Sequence, residues 1–183
     1  MKKIPLLIVF CFTAIIGNAQ AWVETNIDYN FSVSFPATPV QRVIQKDNSI
    51  SYGYTSANGM AMVTLAPNVD SATLTSKQAL ENFYRTTANG FLALQQFPNL
   101  VITDTSFMYM QNVETYHLGF KTTDGTTETK YSMQFVALDN RAYLFLYQYN
   151  PVNKATAIPE KNEFFNSIKL AAWTKPEEQL YGN

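Results

Sequence analysis

Cysteine and histidine are nearly absent from this chain, with one of each in 183 residues. Cys-rich zinc sites, iron–sulfur clusters and a disulfide framework are thereby excluded. Charge is scarce too: 15% of residues are charged, the formal net charge is −1, and Lys and Arg are scattered singly. No basic stripe exists to meet a phosphate backbone, so nucleic acid is excluded as a partner. Long apolar runs are also missing, since a spanning helix needs roughly 20 apolar residues. The abundant residues are aromatic, 13 Phe and 11 Tyr in a chain that is 46% apolar. That composition excludes disorder and favours one β-rich packed domain.

The first twenty residues read as a secretory signal. Lys2 and Lys3 supply the positive start, residues 4–16 the apolar run, and Gly17, Asn18, Ala19 and Gln20 the small and polar stretch before a cut near Ala19 to Ala21. Cys11 lies inside the run behind Phe10, where a lipid-attachment motif wants a small residue, so no lipid anchor is expected. The expected mature chain is periplasmic or secreted, without a transmembrane segment. One domain is expected over residues 21–174, followed by a polar tail over 175–183.

Residues 28–35 alternate Phe31, Val33 and Phe35 against Asn30, Ser32 and Ser34, the pattern of a half-buried strand. Two more strands are expected at 40–45 and 49–56 around a turn at 46–48. Residues 59–66 are apolar on both sides, Met60 and Met62 against Ala61, Val63 and Leu65, which predicts a central strand. The period then lengthens. Thr75 with Gln78 reads as a capping box, and Leu80, Phe83, Tyr84, Phe91 and Leu94 predict a helix over 76–95, with Asn89 and Gly90 as a weak point. Four strands follow at 100–110, 113–122, 127–138 and 141–149. Their turn dipeptides are Gln111–Asn112, Asp124–Gly125 and Asp139–Asn140. A short helix is expected from Pro159, carrying Phe164, Phe165 and Ile168.

A two-residue turn at Asp124–Gly125 sets Lys121 opposite Glu128, Tyr116 beside Met133 and Leu118 beside Tyr131. The turn at Asp139–Asn140 sets Phe135 by Leu144 and Met133 by Leu146. One face then collects Tyr116, Leu118, Phe120, Tyr131, Met133, Phe135, Leu144 and Leu146, for the long helix to cover. The other carries His117, Lys121, Lys130, Ser132 and Gln134, then Tyr143, Phe145, Tyr147 and Tyr149. The expected fold class is α+β: a twisted, mainly antiparallel sheet of six to eight strands, a long helix on one face and a short C-terminal helix on the other.

An early Phe-x-Val-x-Phe-Pro-x-x-Pro at 31–39, a helix, a meander and a closing Phe-Phe-Asn-Ser-Ile-Lys-Leu at 164–170 resemble the PsbP-like superfamily, which includes PsbP and DcrB-like proteins. The likeness extends over most of residues 24–172. It implies an α/β/α sandwich and non-enzymatic binding or assembly roles. It supplies no catalytic motif to carry over.

Three constellations remain. A two-residue turn at Gln111–Asn112 puts Ser106 opposite His117, with Asp104 one pair further and Ser132 on the other flank. That is the residue set of a Ser–His–Asp hydrolase, although the chain has no nucleophile elbow. Met60 with Met62, and Met108 with Met110, offer thioethers that suit Cu(I), or that fill a core. The stripe Tyr143, Phe145, Tyr147 and Tyr149, with His117, Ser132 and Gln134, is either a ligand-pocket wall or core packed under the last helix. No cofactor and no metal site are expected. The reading favoured is an exported, non-catalytic binding or assembly module of the cell envelope, its partner an envelope protein. A carrier of a small apolar ligand comes second and a hydrolase third.

Overall fold

In the computed structural model, which describes residues 22–37, 41–44 and 48–170, five strands precede the long helix. They are β1 (Val23–Asn26), β2 (Phe31–Phe35), β3 (Gln41–Ile44), β4 (Ile50–Thr55) and β5 (Met60–Ala66), and α1 spans Lys77–Gln95. The meander follows as β6 (Val101–Met110), β7 (Val113–Asp124), β8 (Thr127–Leu138) and β9 (Arg141–Tyr149). Helix α2 (Lys154–Asn166) and β10 (Lys169–Leu170) complete the order. The expected signal and its cut, Cys11, most of the turn at 46–48, and the tail at 175–183 lie outside the described residues.

Seven strands form an antiparallel sheet in the order β3-β4-β5-β9-β8-β7-β6, and β1, β2 and β10 form a second sheet of three. Helix α1 covers one face of the large sheet. Helix α2 and the small sheet cover the other, giving three layers around two cores. The doubly apolar β5 sits between β4 and β9. Ala61, Val63 and Leu65 enter the α2-side core, while Met60 and Met62 pack against the α1-side core.

Turn chemistry sets the register. Gln111 and Asn112, and Asp139 and Asn140, all have positive φ, the geometry of type I′ hairpins, and their pairings are the expected ones. The β7–β8 turn differs from expectation. Only Gly125 there has positive φ, at 57°, and Asp124 pairs with Thr127, so the two loop residues are Gly125 and Thr126. Glycine at the first central position makes a type II′ turn instead of placing it second, and β7 runs two residues further than expected while β8 begins where expected. Tyr116 therefore pairs with Phe135, Leu118 with Met133, and Lys121 with Lys130 rather than Glu128. Because the pairing slides by two, no side chain changes face. Lys121 still reaches Glu128 diagonally at 2.8 Å.

Three boundaries also differ from expectation. The cap of α1 is Ser76, whose hydroxyl accepts from the Ala79 N–H. Thr75 instead donates to the Ala72 carbonyl, closing a 3-10 turn at Ser71–Leu74. The strand expected from residue 28 begins at Phe31, because the Asp28 carboxylate caps the preceding turn by accepting from the N–H groups of Asn30 and Phe31. Helix α2 begins at Lys154, five residues before the expected Pro159. Pro151 opens the 3-10 turn that leads into it.

Candidate functional site

The polar face of the meander acquires its shape at one irregularity. The β6–β7 register slips between Ile102 and Asp104, leaving Thr103 as a bulge over Gly119. A side chain at position 119 would place its Cβ 3.0 Å from Thr103 Oγ1 and 3.3 Å from the Asp104 Cβ, so any larger residue would push the bulge back by a few tenths of an ångström. The regular register that follows the bulge puts Asp104 one pair from His117 on the same face, with Oδ2 3.0 Å from Nε2. Burial pulls the imidazole below its ordinary range, helped by the Lys161 charge and opposed by Asp104 and a hydrogen bond to the Met133 backbone. Around this pair lies an open cleft of about 230 Å3, lined also by Lys130, Ser132, Tyr149 and, from α2, Lys161.

The expected triad is only partly assembled. Ser106 does pair with His117 across β6 and β7. The Nε2 edge, however, lies 3.0 Å from Asp104, and no hydrogen bond joins Ser106 to His117 among the described residues. Ser132 lies opposite Gly119, one pair away from its expected place beside His117, and Gln134 takes that place. Gln134 is itself buried and committed, donating to Thr115 Oγ1 at 3.1 Å.

The aromatic stripe forms the wall of a core, not of an open pocket. Tyr143, Phe145 and Tyr147 are fully buried beneath α2 and the small sheet, and only Tyr149 reaches the cleft. Phe31 packs on Tyr143 and Phe145, and Phe164 on Tyr147. Two of these phenols end beside polar groups from distant segments; Tyr143 is hydrogen-bonded there, while the Tyr147 hydroxyl is buried with no hydrogen-bond partner among the described residues. Tyr143 donates to Asp28 at 2.7 Å and accepts from Asn30, while Asp28 is also paired with Arg141 at 2.6 Å. The Tyr147 hydroxyl faces the buried Glu160, whose carboxylate accepts from Ser56 and Asn58. Burial pushes both phenols well above the ordinary tyrosine range.

The methionine pairs are not brought together. Met60 and Met62 join the α1-side core, while Met110 joins the α2-side core and Met108 lies on the outermost strand. Met108 Sδ accepts weakly from Gln134 at 3.9 Å. The thioethers therefore divide between two faces and make no set with His117. Among the described residues no three His, Cys, Asp or Glu side chains converge on one point.

Sequence reasoning missed three members of the cleft: Thr103, Gly119 and Lys161. The bulge leaves no compositional trace beyond a glycine in a strand. Lys161 lies inside the helix expected from Pro159, but periodicity alone does not say that this helix turn overhangs His117.

No protein-family model and no curated protein matches the chain. Solved structures do. CyanoP, the PsbP of Synechocystis, superposes with a TM-score of 0.54 at 11% identity over 85% of this chain and 95% of its own. LpqN of Mycobacterium tuberculosis, described as involved in cell envelope biogenesis, gives 0.49 at 11% identity over 82% and 90%. A protein of unknown function from Pseudomonas aeruginosa gives 0.47 at 7% over 80% and 94%. The chain is built on the PsbP fold.

Proposed function

We propose that this protein is an exported, non-catalytic binding or assembly module of the cell envelope that holds an extended segment of a partner protein along β6. Strand β6 is the observation that carries the reading. It is ten residues long, forms one edge of the large sheet, and is hydrogen-bonded to β7 alone among the strands. Its outer backbone groups are thus free to pair, and Val101, Ile102, Met108 and Tyr109 beside them are exposed. Proteins usually blunt such an edge with charge or proline. Within β6 the one charged residue is Asp104, which is drawn onto His117. Strand addition uses this chemistry: backbone pairing supplies affinity and flanking apolar side chains supply selectivity. Export is supported by the signal-like residues 1–20. Among the described residues no helix is long and apolar enough to cross a membrane.

Native mass spectrometry of the chain purified gently from its own envelope fraction tests the reading. The expected spectrum shows a chain shortened near Ala19 to Ala21 with a polypeptide attached. That polypeptide should be lost in the double variant Ile102→Lys, Tyr109→Lys. An uncut chain would overturn export. A bare wild type, or a polypeptide retained equally by the double variant, would overturn strand addition.

A further inference from the structure

The cleft beside the β6 bulge borders the edge strand through Thr103 and Asp104 but is built mostly from other elements and has its own chemistry. Its floor is Gly119, which carries no side chain. Its walls bring Thr103 from the bulge, His117 from β7, Lys130 and Ser132 from β8, Tyr149 from β9 and Lys161 from α2. Lys161 has no carboxylate within 4 Å among the described residues, and Lys130 has only Glu128 at 3.9 Å, shared with Lys121. The Thr103 and Ser132 hydroxyls bond to no protein group among the described residues. Asp104, 59% exposed and 3.0 Å from His117, is the one carboxylate in the lining, set against the two lysines. Two ammonium groups and two hydroxyls thus converge from two strands and a helix on a space too small for a drug-sized molecule.

We propose that this cleft binds a small oxyanion, the phosphate or carboxylate group of a soluble metabolite, between Lys161, Lys130 and the Thr103 and Ser132 hydroxyls. Such a group would neutralise two lysines that otherwise crowd the imidazole. Charge-assisted hydrogen bonds to ammonium and hydroxyl donors are the strong kind. Tyr149 and the aliphatic stems of the lysines would enclose the rest of a small ligand. The proposal goes beyond strand addition and does not depend on it, since Lys161, Lys130 and Ser132 lie on other elements.

His117 supplies the reporter, being the one histidine in the chain. Its ring resonances should be followed in 15N-labelled mature protein titrated with inorganic phosphate, with acetate, and with chloride at matched ionic strength. A saturable shift with phosphate alone assigns a phosphate-bearing ligand, and one with acetate alone a carboxylate. Saturation by both assigns selection by charge. In Lys161→Ala and Lys130→Ala, both at partly exposed positions, saturation should require about fivefold more anion, with the unfolding midpoint unchanged. Shifts no larger than those with chloride would overturn the proposal. So would equal saturation in wild type and both lysine variants.

Discussion

On the α1 face of the large sheet the buried side chains are almost all apolar, and most come from a continuous stretch that runs from the helix into the meander. On the α2 face they come from segments more than a hundred residues apart and include Asn30, Gln134 and Glu160. The first core can form from local pairing and one helix. The second must join β2, β9 and α2, and it does so with polar pins: Asp28 with Arg141 and Tyr143, and Glu160 with Ser56 and Asn58. Apolar contacts tolerate sliding, whereas a buried carboxylate with four donors does not. The cleft with His117 belongs to the pinned side, where a sheet face is only partly roofed by α2. The face that is hardest to assemble is also the one that leaves chemistry exposed.

If the faces differ in this way, substitutions on them should differ in kind. Phe120→Ala, on the α1 face, removes a ring that is 1% exposed and packs on Phe97 and Tyr131. It should cost about 3–5 kcal/mol by urea unfolding, from lost burial plus the cavity left behind. That loss should be the same in low and high salt. A loss that grew markedly with salt would show that charge reaches this core after all. Asp28→Asn, on the other face, should cost less, about 3 kcal/mol, the low end for breaking a buried pair. Arg141 keeps 30% of its side chain exposed and recovers some hydration, while Asp28 keeps only 9%. The carboxylate accepts from Asn30, Phe31, Arg141 and Tyr143, so its loss unfastens the small sheet from β9. Proteolysis should then nick the first thirty-odd residues before the meander. A cost under about 1 kcal/mol, the range of surface pairs, would erase the distinction between pinned and unpinned faces.

The same division explains what the sequence made legible. The meander was readable because each strand is long, each turn is two residues, and alternation assigns every side chain to a face without knowledge of the fold. Even the misplaced β7–β8 turn left the faces intact, since the slip was by an even number. The Ser106–His117 opposition and the covering of Tyr116, Leu118 and Phe120 by a helix follow from that alone. The small sheet was not readable. Strand β1 is four residues long and β10 only two, and the pairing of β10 with β2 depends on a helix bringing residue 169 beside residue 32. The stripe Tyr143, Phe145 and Tyr147 was visible as a surface needing cover, but alternation cannot say whether a ligand or a helix provides it. The bulge was invisible because one unpaired residue changes no composition, yet it brings Thr103 over Gly119 at the rim of the cleft.

The smallest expected effect is the most specific to the pinned face. His117 is held below its ordinary value, first by burial, then by Lys161 across the cleft, with Lys130 beside it on β8, against the pull of Asp104 and the Met133 backbone. A histidine whose folded value is depressed binds fewer protons in the folded state than in the unfolded one. Its contribution to stability is therefore complete above the unfolded value of about 6.5 and declines as pH falls toward the folded value, below which the loss levels off. Carboxylates held low by partners, Glu24 by Lys169 and Glu128 by Lys121, begin to matter only at more acidic pH, below the ordinary glutamate value of about 4.5. In the interval between those ranges His117 is the one histidine that can titrate. Urea midpoints measured across it should fall with acidification in the wild type and stay level in His117→Gln, which keeps a donor for Asp104 but cannot take a charge. Parallel slopes in the two proteins would place the acid sensitivity elsewhere. A wild-type slope of opposite sign would mean that Asp104 outweighs burial and Lys161, and that the cleft favours the charged imidazole even when empty.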